Sequence, residues 1–107
     1  MAERITAENF ESNVVGNSLP VLVDFYSDSC VACKKISPVL ADYEEEHEGS
    51  IAVYKVNTGY DTELSEKYGV QANPTLILFV NGEEKARNVG ALSPMALDKF
   101  VEGGLNS

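Results

Sequence analysis

Two six-residue stretches, Val21-Leu22-Val23-Asp24-Phe25-Tyr26 and Thr75-Leu76-Ile77-Leu78-Phe79-Val80, are apolar at nearly every position. A strand with one wet face alternates apolar and polar residues. These two do not, so each predicts a strand covered on both faces. Such a sheet needs helices above and below it, and the segments between the strands supply them. Thr6 is placed to cap a helix carrying Phe10 and Val14 four residues apart, closed by Gly16-Asn17. Ile36, Val39, Leu40 and Tyr43 fall at helical spacing in a helix from about Cys33 to Glu48, with Pro38 inside it as a kink and Gly49 as its stop. Leu64 and Tyr68 share one face of a short helix over 61–68 that Gly69 ends.

Further strands are predicted at Arg4-Ile5-Thr6 and over Ile51 to Val56. Asn81-Gly82 is a strong hairpin signal, so an antiparallel, polar edge strand should follow near Lys85 to Val89. Ser93 caps a last helix with Pro94 at its first position and Leu97, Phe100 and Val101 on its buried face; Gly103-Gly104 then releases the tail. The predicted order is β-α-β-α-β-α-β-β-α. This is an α/β fold with a central mixed sheet, mostly parallel with one antiparallel edge hairpin strand, and helices on both faces. No linker or repeat interrupts it, so residues 1–107 read as a single domain.

The totals narrow the function. Apolar residues make up 44% of the 107-residue chain, too many for disorder, and no run approaches the ~20 apolar residues of a membrane span. The N-terminus, Met1-Ala2-Glu3-Arg4, lacks an apolar run of signal-peptide length, which predicts a cytoplasmic protein. A formal charge of −9 argues against nucleic acid and anionic membranes as partners. Much of that charge lies over Asp42 to Glu48, read as a solvated helix end.

The only two cysteines lie in Cys30-Val31-Ala32-Cys33, between the first apolar strand and the helix after it. In open sheets of this kind, chemistry gathers at the carboxyl ends of strands, where Cys30 stands. A helix N-terminus favours an anion, so a thiol there loses its proton more easily and becomes a nucleophile. Cys33 lies one turn on, close enough to close a ring with it. A bridge across two residues removes little unfolded-chain entropy, so its value lies in opening and closing. The competing readings are a buried structural pair or half of a metal site. Zinc asks for four ligands, and the only histidine, His47, is roughly 20 Å away along the helix. That leaves only a metal or cluster shared between two chains, and the expectation is no metal and no bound cofactor.

The order of elements and motifs resembles the thioredoxin family over nearly the whole chain. The matching segments are Val-Asp-Phe-Tyr at 23–26, Cys-x-x-Cys-Lys at 30–34 with Pro38 downstream, Tyr-Gly-Val at 68–70, Asn-Pro-Thr at 73–75 and Val-Gly-Ala at 89–91. The resemblance implies a thioredoxin fold and a redox-active Cys30–Cys33 disulfide, with Cys30 as nucleophile and Cys33 as resolving thiol. It implies that Asp24 is a buried carboxylate behind the pair, with a raised pKa and the role of base toward Cys33, and that Lys55 lies near Asp24. It also implies a cis peptide bond at Pro74 facing the cysteines. Asn73, Pro74, Gly90 and Ala91 would then line a groove for an extended substrate, with Ser29, Val31 and Ala32 at its rim.

The implied activity is reduction of protein disulfides by a monomer that a thioredoxin-reductase-type flavoprotein recycles. A disulfide isomerase or oxidase with a retuned potential, and a redox-inactive binding subunit, are the alternatives. This chain departs from the family pattern in three places. Ser29 stands where tryptophan is usual, Val31-Ala32 replaces Gly-Pro, and Asn73 replaces Ile or Val. Ala32 restores an N–H to the first helical turn and Ser29 adds a hydroxyl. Both predict a stabler thiolate and a weaker reductant than the ~−270 mV of thioredoxin.

Overall fold

The computed structural model describes residues 2–106. Strand β1 (Glu3–Arg4) is followed by helix α1 (Ala7–Phe10), which runs on as a π-helical segment over Glu11–Val15. Then come β2 (Val21–Tyr26), α2 (Val31–Glu46), β3 (Ala52–Asn57), α3 (Thr62–Lys67), β4 (Thr75–Val80), β5 (Glu83–Val89) and α4 (Pro94–Leu105). The strands form one five-stranded mixed sheet in the order β1-β3-β2-β4-β5.

The two apolar runs are the central strands, and their residues divide between two cores by simple alternation. Val21, Val23 and Phe25 of β2, with Ile77 and Phe79 of β4, pack with Phe10, Val14 and Leu64 from α1, its π-helical continuation and α3. Leu22, Leu76 and Leu78 point the other way and pack with Ile36, Leu40 and Tyr43 of α2 and Leu97 and Val101 of α4. Helices thus cover both faces.

Strand direction refines the expectation. β1 and β2 each pair with β3 in parallel, whereas β4 is antiparallel to both β2 and β5. The strand that runs against the others is therefore β4, next to the edge, rather than the edge strand β5 itself. The reversal puts the start of β4 beside the end of β2, with Thr75 opposite Phe25.

The local signals are met in detail. Asn81 (φ 54°) and Gly82 (φ 81°) both take the left-handed turn the β4–β5 hairpin needs. Ser93 Oγ accepts the Ala96 N–H at 3.2 Å, with Pro94 opening α4. Thr6 N–H donates to Asn9 Oδ1 at 2.7 Å at the start of α1. Several boundaries move: β1 is Glu3–Arg4 rather than residues 4–6, β3 is shifted by one residue, and α2 ends at Glu46 rather than Glu48. Helix α2 starts at Val31, two residues earlier than expected, with Cys30 as its N-cap.

Gly103-Gly104 does not end α4, which continues to Leu105. A Cβ on Gly104 would lie 2.5 Å from Leu78 Cδ2 and 3.0 Å from Ala86 Cβ. The glycine is there because the helix backbone presses on the sheet, and tertiary packing overrides its helix-breaking tendency.

Candidate active site

The chain leaves β2 at Tyr26, makes a turn in which Cys30 N–H donates to the Ser27 carbonyl at 3.3 Å, and enters α2. Cys30 caps that helix. Its carbonyl accepts the first helical hydrogen bond, from Lys34 N–H at 3.3 Å, and its Sγ accepts the Cys33 N–H at 3.1 Å. Cys30 and Cys33 form a disulfide with their Cα atoms 5.2 Å apart. Cys33 is buried, Cys30 is half-buried, and Val31 between them is 67% exposed. Of the pair, Cys30 is thus the more exposed residue.

The donor to the Cys30 sulfur is the Cys33 N–H.

Beneath the pair lies Asp24, buried in the middle of β2. Its Oδ1 accepts no hydrogen bond among the described residues. Burial in this apolar layer pushes the carboxyl from 3.8 up to about 7, and the charge of Lys55 pulls the other way. Lys55 is the register partner of Asp24 on β3, and its Nζ stands 5.3 Å from the centre of the Tyr26 ring. Asp24, Lys55 and Cys33 line one cleft of about 310 Å³, together with Tyr26, Ser27, Asp28, Lys34 and Ser37. Tyr26, Ser27, Asp28, Lys34 and Ser37 are additions to the site residues expected from the sequence. Asp28 could have been noticed as a second carboxylate in the turn before Cys30; Ser37 gave no signal.

The remaining predicted residues gather at the same end of the sheet. Tyr26 pairs with Asn57, Phe25 with Thr75, and Thr75 with Val89, so these registers align the loops that follow β2, β3 and β5 with the segment that precedes β4. The Asn73–Pro74 peptide bond is cis and Pro74 is buried. Gly90 N–H donates to the Pro74 carbonyl at 2.8 Å, and Gly90 takes a φ of +104°, which favours glycine. Ala91 follows, exposed. His47 caps the opposite end of α2, its Nδ1 donating to the Tyr43 carbonyl at 2.9 Å and its ring stacked on Tyr43. It is no part of this site.

A family model for thioredoxin matches residues 1–103. The chain belongs to the thioredoxin family. A thioredoxin of Rickettsia bellii is 33% identical over 105 residues, covering 98% of this chain and 100% of the relative. Thioredoxins of Porphyra purpurea and Pseudomonas aeruginosa are each 38% identical, over 98 and 101 residues, covering 92% and 94% of both chains respectively. This thioredoxin-family chain is a redox protein with its Cys-x-x-Cys pair at disulfide distance. Members of the family take disulfide substrates and are themselves reduced by a reductase. Among the described residues no helix is long and apolar enough to cross a membrane.

Proposed function

We propose that this chain reduces protein disulfides through Cys30 and Cys33 and is reduced again by a thioredoxin-reductase-type flavoprotein, as a cytoplasmic monomer. The observation that carries the reading is the position of Cys30 as N-cap of a 16-residue helix, with Cys33 buried one turn behind it over Asp24.

The Cys30 thiolate attacks one sulfur of the substrate disulfide. That bond breaks, the other sulfur leaves as a thiolate that picks up a proton, and a mixed disulfide remains on Cys30. Asp24 takes the proton of Cys33, for which a carboxyl near neutrality is well matched. The Cys33 thiolate then attacks Cys30 Sγ, the substrate leaves as a second thiol, and the internal disulfide closes. Two electrons have passed to the substrate, and the flavoprotein returns two electrons and two protons. Holding both thiols on one helical turn makes the second step intramolecular. Ser29, Val31, Ala32, Asn73, Pro74, Gly90 and Ala91 form the binding rim, where an extended substrate segment lies along the Asn73 backbone.

The test is reduction of insulin disulfides with dithiothreitol as electron source. The wild type accelerates it, Cys30→Ser abolishes it, and Cys33→Ser accumulates the mixed disulfide. Full activity after alkylation of Cys30 would instead indicate a binding subunit. A second reading, an isomerase or oxidase, is favoured by one feature, the extra backbone N–H that Ala32 brings to the first turn. A reduction potential near about −270 mV supports the general reductase, and one at about −200 mV or above supports the second reading. The altered rim also predicts slow turnover with an ordinary NADPH-dependent thioredoxin reductase.

A further inference from the structure

A set of polar side chains that the exchange chemistry does not use ties the loops of the rim together. Asn57, the last residue of β3, donates from Nδ2 to Asp28 Oδ2 at 3.3 Å, while its Oδ1 accepts the N–H groups of Gly59 and Tyr60 at 2.9 and 3.2 Å. Thr58 comes next. Its N–H donates to the Tyr26 carbonyl at 2.8 Å, and its hydroxyl reaches the same carbonyl at 3.2 Å. Asn73, fifteen residues further on, brings Nδ2 to 3.2 Å from Thr58 Oγ1.

The chemistry of these atoms fixes the direction of the chain. A carbonyl only accepts, so the one hydroxyl proton of Thr58 goes to Tyr26. Thr58 Oγ1 then has only lone pairs left, and Asn73 must present its NH₂ to them. The Asn73 Oδ1 is consequently buried with no partner among the described residues. An unpaired buried acceptor is costly, and an apolar residue at 73 would avoid the cost. This chain instead keeps a polar pair directly before Pro74.

We propose that Thr58 is a positioning residue of this site. It ties the Asn73-Pro74 segment to the exit of β2, and so pre-sets the backbone edge along which an extended disulfide-bearing polypeptide lies. The inference rests on the reductase reading. A groove set beforehand spares the complex the cost of ordering it. The tie therefore matters for polypeptide substrates, which use that edge, and not for a small disulfide that touches only the sulfur.

The experiment compares kcat/KM for insulin with kcat/KM for a small aromatic disulfide, in wild type, Thr58→Val, Thr58→Ser and the double variant Thr58→Val with Asn73→Val. Loss of one hydrogen bond corresponds to roughly a two- to tenfold effect. Thr58→Val is expected to lower the insulin-to-small-disulfide ratio by about that factor, through KM rather than kcat, with the reduction potential unmoved. Thr58→Ser, which keeps the hydroxyl, retains the wild-type ratio. The double variant, relieved of the orphaned acceptor, is at least as thermostable as the wild type yet shows the lowered ratio, and it carries the test if Thr58→Val folds poorly. A wild-type ratio in both valine variants, or a change in kcat alone, overturns the inference. A wild type that reduces neither substrate overturns the reductase reading itself, and the inference with it.

Discussion

Asp24 and Lys55 stand opposite one another in the parallel β2–β3 ladder, both on the face of the sheet that α2 covers. The carboxyl is buried and raised to about 7 from 3.8, so the folded protein holds a proton that the unfolded chain releases. Below about pH 4 both states are protonated, and above about pH 7 both are ionised. Between these limits stability falls as pH rises, by up to about 4 kcal/mol in all. Asp24→Asn removes the effect. Urea unfolding should show the variant about 2–4 kcal/mol more stable than the wild type at pH 8, with the gap shrinking toward pH 5. Parallel stability–pH curves would refute the assignment.

The lysine acts in the opposite sense to burial. Replacing it by methionine removes the positive charge that lowers the Asp24 pKa, so that pKa rises further. The rise in disulfide-reduction rate with pH should then move to higher pH in Lys55→Met. Direct titration of the Asp24 carboxyl by NMR checks it, and a downward shift would contradict it.

Adjacent glycines in α4 give opposite expectations. Gly103 is exposed, and a Cβ there meets nothing within 4 Å. Gly103→Ala should therefore stabilise by about 0.5–1 kcal/mol through helix propensity and a less flexible unfolded chain. Gly104→Ala would force a methyl against Leu78 and Ala86, and Leu78, fully buried, would have to shift within a packed core. A loss of about 1–3 kcal/mol is expected from overpacking. Thermal melts of the two variants decide the matter.

Arg87, on the edge strand, closes the end of α3. It binds Glu84 through Nε and Nη2, both at 2.8 Å, and Nη2 also donates to the Tyr68 carbonyl at 2.5 Å. This satisfies a carbonyl that α3 leaves open. The group is partly solvated, so Arg87→Ala should cost only about 1 kcal/mol overall. Amide exchange around Gly69 and Val70 should quicken more than elsewhere. Uniform exchange across the chain would argue against a capping role.

The elements read directly from the sequence were those specified by neighbours in the chain. The alternating halves of β2 and β4, the Asn81-Gly82 turn and the Ser93-Pro94 helix start all depend on a few adjacent residues. The Cys30–Cys33 pair was legible for the same reason, since its chemistry follows from a strand end, a helix start and a spacing of three. What escaped depends on contacts far apart in sequence. The direction of β4 relative to β2 is not encoded in either strand's pattern. Gly104 looks like a helix terminator until Leu78 is seen against it, and Arg87 looks like an ordinary edge-strand charge until it meets Tyr68. Asn73 stood out as unusual, but its partner Thr58 could not be named without the fold.

The sheet keeps its two apolar layers apart, and among the described residues none of the core belongs to both. Cys33, Asp24 and the helix that carries the disulfide belong to the α2–α4 storey, and Phe10, Val14 and Leu64 furnish the other. An engineer who wished to harden this molecule without disturbing its chemistry would therefore remodel the lower floor, repacking around Phe10 and Phe79, and leave the ceiling above Asp24 as it stands.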